Sequence, residues 1–227
     1  MRRSGFRRQR MAEGDDRPLP KYGFGRVWHV LTTHFSKLVL VNLLAVAFSV
    51  PLFTIPAAWT AMNAVIQQYY RTGIGDVWSK FFQEFKTAFF RRLGYSALLA
   101  VLPLLGWFVG SRFSEAVGYG VCTFFVVMDI FVMGWWYPQM SILKLSPSMA
   151  LRNAFMLIFI AVGENLKLLI VTVLTAVFVV LLWPVSMIPI VLFLPALIVL
   201  LITNIVNPVL DARLIREDGE QAEHPEP

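Results

Sequence analysis

The sequence predicts an all-α polytopic membrane protein with about six transmembrane helices, the first two forming a hairpin broken by prolines, and with amphipathic helices at the cytoplasmic interface. Three observations indicate this fold class. Apolar residues make up 57% of the 227 residues and the mean hydropathy is +0.65, more than an ordinary soluble domain carries. Several apolar runs have the ~20 residues that a helix needs to cross a bilayer. The basic residues stand at the ends of these runs, as the positive-inside rule describes.

A basic arm opens the chain over residues 1–25 and is predicted to be disordered and cytoplasmic. Its charges favour anionic lipid of the bilayer as a partner. Nucleic acid is not expected, because binding it needs aromatic platforms beside the charges and the arm offers few, such as Phe6 and Tyr22. A single helical membrane domain is predicted over residues 26–210, and a short interfacial helix over residues 26–37 begins it. The basic residues of the arm are Arg2, Arg3, Arg7, Arg8, Arg10, Arg17 and Lys21.

The first two spans are predicted over residues 36–53 and 56–71. Pro56 fixes its own φ and suits the start of a new helix, which separates the two segments. Charge favours two crossings, because a single crossing would place the basic residues of the following loop outside the cell. A re-entrant hairpin would keep the same sidedness, so both possibilities stay open.

An amphipathic helix is predicted over residues 75–91, with Asp76 as its N-cap. Its aromatic residues recur at helical spacing, with charged residues largely on the opposite side. We expect this helix to lie at the cytoplasmic interface and to offer a docking surface to a partner. The alternative is that its rings pack against the spans. The candidate docking residues are Trp78, Phe81, Phe82, Phe85 and Phe89.

Four further spans are predicted over residues 93–110, 117–137, 166–183 and 185–206. Between the second and third of these, Ser146 as a cap and Pro147 at the first helical position predict an interfacial helix over residues 147–162. The acidic residues 211–227 are predicted to be a disordered cytoplasmic tail. Both termini are then cytoplasmic, and the expected location is the bacterial cytoplasmic membrane. The lone Cys122 excludes a disulfide within the chain.

The sequence contains no catalytic signature, so we expect no enzymatic activity and no cofactor. His29 and His34 do not share a helical face, and His224 lies in the tail, so no metal site is predicted. No nucleophile can be paired with a general base.

Polar residues inside the apolar runs are the candidate functional residues. Asp129 is notable because an ionisable group within a span is costly unless it is paired, hydrated or protonated. It either has a functional role or bonds a neighbouring helix and orders the bundle. In the six-span topology the set lies in the cytoplasmic half, which favours an inward-facing pocket or a docking surface over a pore. The set is Asn42, Gln67, Asp129, Glu164, Lys167, Asn204 and Asn207.

Three stretches carry a family resemblance. They are "LVLVNLLAVAFSVPLFTIPAAWTAMNAVIQQYYRTG", "FFQEFKTAFFRRLGYSALL" and "YPQMSILKLSPSMALRNAFMLIF". With their span-one asparagine and their proline break, they resemble the YesL-like family of bacterial membrane proteins over roughly residues 27–206. The resemblance implies an accessory part in carbohydrate import or sensing and provides no active site.

Two functions follow as hypotheses. The first is a non-enzymatic accessory protein that assists or regulates a sugar-transporter permease or a sensor through helix–helix and interfacial contacts. The second is a secondary transporter of a small solute or ion that uses Asp129 and Lys167 as a coupling pair.

Overall fold

The structure is a computed structural model that describes residues 19–143, 145–185 and 187–212, and all their side chains except those of residues 52, 90–93, 95–100 and 191. Within these ranges the chain forms helices and turns and contains no β-strand. The all-helical prediction is therefore confirmed. The predictions of disorder for residues 1–18 and for most of the tail lie outside the described residues.

Nine α-helices follow one another along the described chain. α5 and α7 are long and apolar enough to cross a membrane, and α1 with α2, bent by 84° at their junction, would make a third span if counted together. The helices are α1 Phe24–Thr33, α2 Phe35–Phe48, α3 Ile55–Thr72, α4 Val77–Gly110, α5 Glu115–Ile142, α6 Pro147–Ile160, α7 Val162–Leu181, α8 Met187–Leu192 and α9 Leu194–Leu210, with a 3-10 turn at Leu52–Thr54. Length and composition thus indicate two or three spans and do not confirm about six.

The helix starts follow local side-chain chemistry. Asp76 accepts hydrogen bonds from the backbone N–H groups of Trp78 and Ser79, which caps α4. Ser146 caps α6 in the same way, with Pro147 at the first helical position. These two predicted starts are confirmed. Gly73 ends α3 with a φ of 73°, in the left-handed region that glycine adopts without strain.

The fourth helix corrects one predicted boundary. The predicted interfacial helix over 75–91 and the predicted span over 93–110 are a single helix, Val77–Gly110. The intervening residues are mostly good helix formers, and Gly94 alone is too weak a breaker to end the helix. The charged pair Arg91 and Arg92 marks a change in polarity along this helix and not its end.

Three other predicted elements are shorter or interrupted. The predicted interfacial helix over 26–37 ends at Thr33, where the chain turns by 84°. The predicted first span ends at Phe48, before Pro51. The predicted last span over 185–206 is broken at Phe193 into α8 and α9, and the nearby Pro189 and Pro195 lack the N–H groups that would continue a helical ladder.

Two hydrophobic clusters form the core and share α9. The first joins α1–α3 and the start of α4 to Ala196, Val199 and Leu200. The second joins the last turns of α5, α6 and the start of α7 to Val206 and Leu210. Trp59 of α3 packs against both clusters. The position of α9 therefore determines how the two halves of the molecule fit together.

Glycines bring α4 and α5 into close antiparallel contact. A Cβ atom added to Gly118 would lie 2.7 Å from the carbonyl oxygen of Gly110, and one added to Gly110 would lie 2.8 Å from that of Gly118. Cys122 donates a weak hydrogen bond to the Gly106 carbonyl at 3.4 Å. This small-residue contact lets the two backbones approach, as in other apolar helix pairs.

Replacement of Gly118 by alanine is expected to destabilise the protein by about 1–3 kcal/mol, because the added methyl group overlaps the backbone of α4. Thermal unfolding in mild detergent measures the effect. Gly120→Ala is the matched control, since a Cβ at Gly120 meets nothing within 4 Å. Equal melting temperatures for the two variants would show that the close contact is absent.

Candidate functional site

The seven predicted intramembrane polar residues do not form one cluster. Gln67, Asn204 and Asn207 lie together where α3 packs against α9. The other four occupy three separate places. Asn42 lies at the start of α9, Asp129 lies midway along α5, and Glu164 with Lys167 lies at the start of α7.

Asn42 bridges the break between α8 and α9. Its Nδ2 donates to the Ile190 carbonyl at 3.3 Å, and its Oδ1 accepts from the Ala196 N–H at 3.1 Å. These are backbone groups that a helix break deprives of their helical partners. Asn42 is fully buried in α2, so its side chain replaces the missing backbone bonds where water has no access.

A polar network closes the opposite end of the α3–α9 pair, which we call the Arg71 end. Arg71 forms a salt bridge with Asp211 at 2.8 Å and a long hydrogen bond to Asn207 at 3.5 Å. Tyr70 donates to the Asn204 Oδ1 at 2.7 Å. The later residue of α3 pairs with the later residues of α9, so the two helices run parallel.

The first described residues join the same network. The Tyr22 hydroxyl donates to Asp211 at 2.5 Å, and the Arg26 guanidinium lies over the rings of Tyr22 and Tyr70. Burial raises the pKa of the Tyr22 phenol, and the hydrogen bond to the Asp211 carboxylate raises this pKa further. The beginning and the end of the described chain are thus tied together.

Four buried side chains of the mutually packed helices α3, α5 and α9 have unpartnered polar atoms. Both amide atoms of Gln67 and of Gln139, the hydroxyl of Thr203 and the Nδ2 of Asn207 have no hydrogen-bond partner in the described part of the chain. All four side chains are at most 3% exposed. Gln139 and Thr203 were absent from the predicted set, although each is a polar residue next to an apolar run.

Asp129 faces α4. It continues the stripe of Gly118, Cys122 and Phe125, at spacings of three and four residues, that packs against this helix. Its Oδ1 is enclosed and has no hydrogen-bond partner among the side chains that the structure describes.

The two charged residues of α7 pair with each other. The Lys167 Nζ lies 3.8 Å from the Glu164 Oε1, and both side chains are partly exposed. Lys167 does not pair with Asp129, because α7 packs against a different face of α5, at Gly134.

The asparagine between these two charges was missed by the sequence reasoning. Asn165 is buried, accepts a hydrogen bond from the Trp135 indole at 2.7 Å, and donates to the Ile158 carbonyl at 2.7 Å. Trp136, the next residue of α5, donates to the Pro147 carbonyl at the start of α6. Both ends of α6 therefore lie level with two adjacent residues of α5, so α6 crosses α5 and does not run along it.

The predicted docking aromatics of α4 are mostly turned into the protein. Phe81 is fully buried, and Phe48 of α2 contacts the rings of Phe81, Phe82 and Phe85. Phe89 is partly buried and contacts Phe53. Trp78 is the member of the set that is largely exposed, at 51%. A partner can therefore reach Trp78 but not Phe81.

An apolar groove of about 390 Å³ lies between α7 and α9, beside the break at Phe193. Apolar side chains and Thr175 line it. Among the described residues, no group of three His, Cys, Asp or Glu side chains could hold a metal ion.

Comparison with known proteins finds one family. Residues 38–109 match the family described as protein of unknown function, DUF624. The match extends from α2 to the end of α4 and covers less than half of the chain. No curated protein and no solved structure matches the chain. The similarity is thus to a family without a known activity.

Replacement of Asn42 by leucine is expected to destabilise the protein by about 1–3 kcal/mol, because Ala196 N–H and the Ile190 carbonyl would lose their buried partner. Thermal unfolding in detergent measures this loss. The control is Asn63→Leu, an equally buried asparagine whose amide bonds only the Trp59 carbonyl of its own helix. A loss no larger than that of the control would exclude a bridging role.

The bond between Tyr22 and Asp211 is expected to make the protein sensitive to alkaline pH. Because the folded pKa of Tyr22 lies above its ordinary value of about 10, this contribution to stability is full below pH ~10 and is lost as the pH rises through the folded pKa. The wild-type protein should melt a few degrees above Tyr22→Phe at pH 8, and this advantage should shrink as the pH is raised above 10. Tyr119→Phe, at an exposed tyrosine, is the control. A constant advantage across this pH range would contradict the assignment.

Proposed function

We propose that this protein is a non-enzymatic integral membrane accessory protein that packs α5 and α7 against another membrane protein. Two exposed helices of membrane length support this function. In the most apolar 18-residue window of each helix, only 11% of the residues are buried within the protein. In α7 the buried residues are Asn165 and Leu168, both near its start. The remainder of α7 is a large apolar surface that is free to contact lipid or a partner helix.

The groove between α7 and α9 makes part of this surface concave. The break at Phe193 keeps α8 and α9 from forming one rod, and the groove lies beside it. A concave apolar lining fits the ridge of a partner transmembrane helix, whose side chains would fill it by close packing.

The six-span topology with both termini cytoplasmic belongs to the same proposal. The bonds of Asp211 to Tyr22 and Arg71 support it, because they place three distant points of the chain at one end of the bundle. An even number of crossings must then separate each pair of these points. The basic residues near this end favour a cytoplasmic position. α2 is about 21 Å long, shorter than the ~30 Å hydrocarbon core. The first hairpin therefore enters the membrane deeply, although its first helix is too short to cross the hydrocarbon core alone.

Interfacial contacts are the second part of the proposed role. α1 turns by 84° from α2, buries Val27 and Val30, and exposes Phe24 and Trp28 on an adjacent face. Aromatic residues of this kind favour the membrane–water boundary. We expect α1 to lie on the cytoplasmic leaflet, where the basic arm meets anionic lipid.

A link to carbohydrate uptake is the most specific part of the proposal. It is supported by the resemblance to the YesL-like family, whose first two quoted stretches fall within the segment that matches DUF624. The expected partner is a sugar-transporter permease or a sensor. The alternative, a secondary transporter that uses Asp129 and Lys167, has less support because these two residues lie on different helix contacts.

A photo-cross-linking residue at Leu174 of α7 is expected to capture one protein from native membranes. Leu174 is 63% exposed and lines the α7–α9 groove. The adduct is identified by mass spectrometry after denaturing purification. A permease or sensor recovered at this position would support the accessory function.

The control places the same residue at Val50, between α2 and the 3-10 turn, which is at least as exposed as Leu174. Equal recovery at both positions would mean unspecific contact. Lipid adducts alone at Leu174, or solute transport by the purified protein in liposomes, would contradict the proposed function.

A further inference from the structure

The unpartnered polar atoms between α3, α5 and α9 are an exception to a strong rule. Buried polar groups in proteins are nearly always hydrogen-bonded, because an unsatisfied one loses its bonds to water without replacement. Gln67, Gln139, Thr203 and Asn207 together contribute six such atoms. Their neighbours Tyr70, Asn204 and Arg71 do form bonds, so these six atoms stand beside a network that is hydrogen-bonded.

The helix register brings Gln67 and Thr203 to one level, with Asn207 one turn away. Arg71 bonds Asn207, and one helical turn earlier on the two parallel helices stand Gln67 and Thr203. The third helix, α5, packs against both α3 and α9. Met140, which follows Gln139, belongs to the same cluster as Val206 and Leu210 of the last two turns of α9.

We propose that Gln67, Gln139, Thr203 and Asn207 form an internal binding site for ordered water molecules. Water is identified by the donor and acceptor character of the atoms. Three amide nitrogens can only donate, and two amide oxygens and a hydroxyl can accept. A metal cation would satisfy the oxygens alone and an anion the nitrogens alone. Water donates and accepts, and about two molecules with three bonds each match the six atoms.

The site has a route to solvent. It lies one helical turn from the salt bridge between Arg71 and Asp211, whose side chains are 28% and 26% exposed. The Arg71 guanidinium, held over this layer by its bond to Asn207, also opposes a cation there.

The substitution Thr203→Val tests the site, because the direction of the change in melting temperature distinguishes a hydrated hydroxyl from a dry one. The substitution keeps the shape of the side chain and removes the hydroxyl. If the hydroxyl binds water, the melting temperature in detergent falls by about 2–4 °C. If the hydroxyl is dry and unpaired, its removal raises the melting temperature, and this result would overturn the proposal. Thr60→Val is the matched control, because the buried Thr60 hydroxyl already donates to the Pro56 carbonyl at 2.8 Å.

A second measurement uses the unmodified protein and does not depend on the folding of a variant. Nuclear magnetic resonance in lipid nanodiscs detects magnetisation transfer from long-lived water to side-chain amides. Transfer to Gln67 and Gln139 is expected, without transfer to Asn165, whose buried amide is satisfied by Trp135 and Ile158. Absence of transfer to all three amides would overturn the proposal.

Discussion

The two hydrogen bonds of the Asn42 amide hold α9, the last α-helix in the described part of the chain, in place. A helix break leaves backbone groups without partners, and in apolar surroundings no solvent replaces them. Asn42 supplies both partners from α2, so α9 can begin at the break and still pack against α3. Both hydrophobic clusters and the network at the Arg71 end depend on the position of α9.

Polarity is distributed unevenly along the bundle. In the described part of the chain, Arg71, Asp211, Tyr22, Tyr70 and two asparagines of α9 form a polar network at the Arg71 end. The far parts of α4, α5 and α7 are apolar and largely exposed, and the glycine contact between α4 and α5 is the closest packing there. One end of the molecule thus holds a polar network, and the other offers apolar surface. This division is consistent with a protein that is anchored at one end and binds along the other.

Local chemistry in the sequence was sufficient for the helical class and for some boundaries. Asp76 and Ser146 have capping side chains, so their helices could be placed from a few residues. The break at Phe193 could not be placed, because prolines are tolerated in apolar helices and the residue that stabilises the break lies about 150 positions earlier.

The candidate site shows the same limit. Asn42, Gln67, Asn204 and Asn207 stood out as polar residues in apolar runs. The pairing of Arg71 with Asp211 could not be predicted, since it joins residues 140 positions apart. Asn165 was not predicted as a site residue because it stands between two charged residues, which are the more unusual groups in an apolar run. Its own amide nevertheless makes the buried hydrogen bonds. Contacts between residues that are far apart in the chain could therefore not be predicted, even where the residue types themselves stood out.

The continuity of α4 has a mechanical consequence. This helix of 34 residues is about 51 Å long, with its first turns wedged among the rings around Phe48 and its last turn fixed to α5 through Gly110. It therefore acts as a lever between the two ends of the molecule. A tilt of about 5° at the aromatic end would displace the far tip by about 4 Å over this length. A displacement of the end of α4 that contacts α5 would, in the same way, be transmitted to its aromatic end.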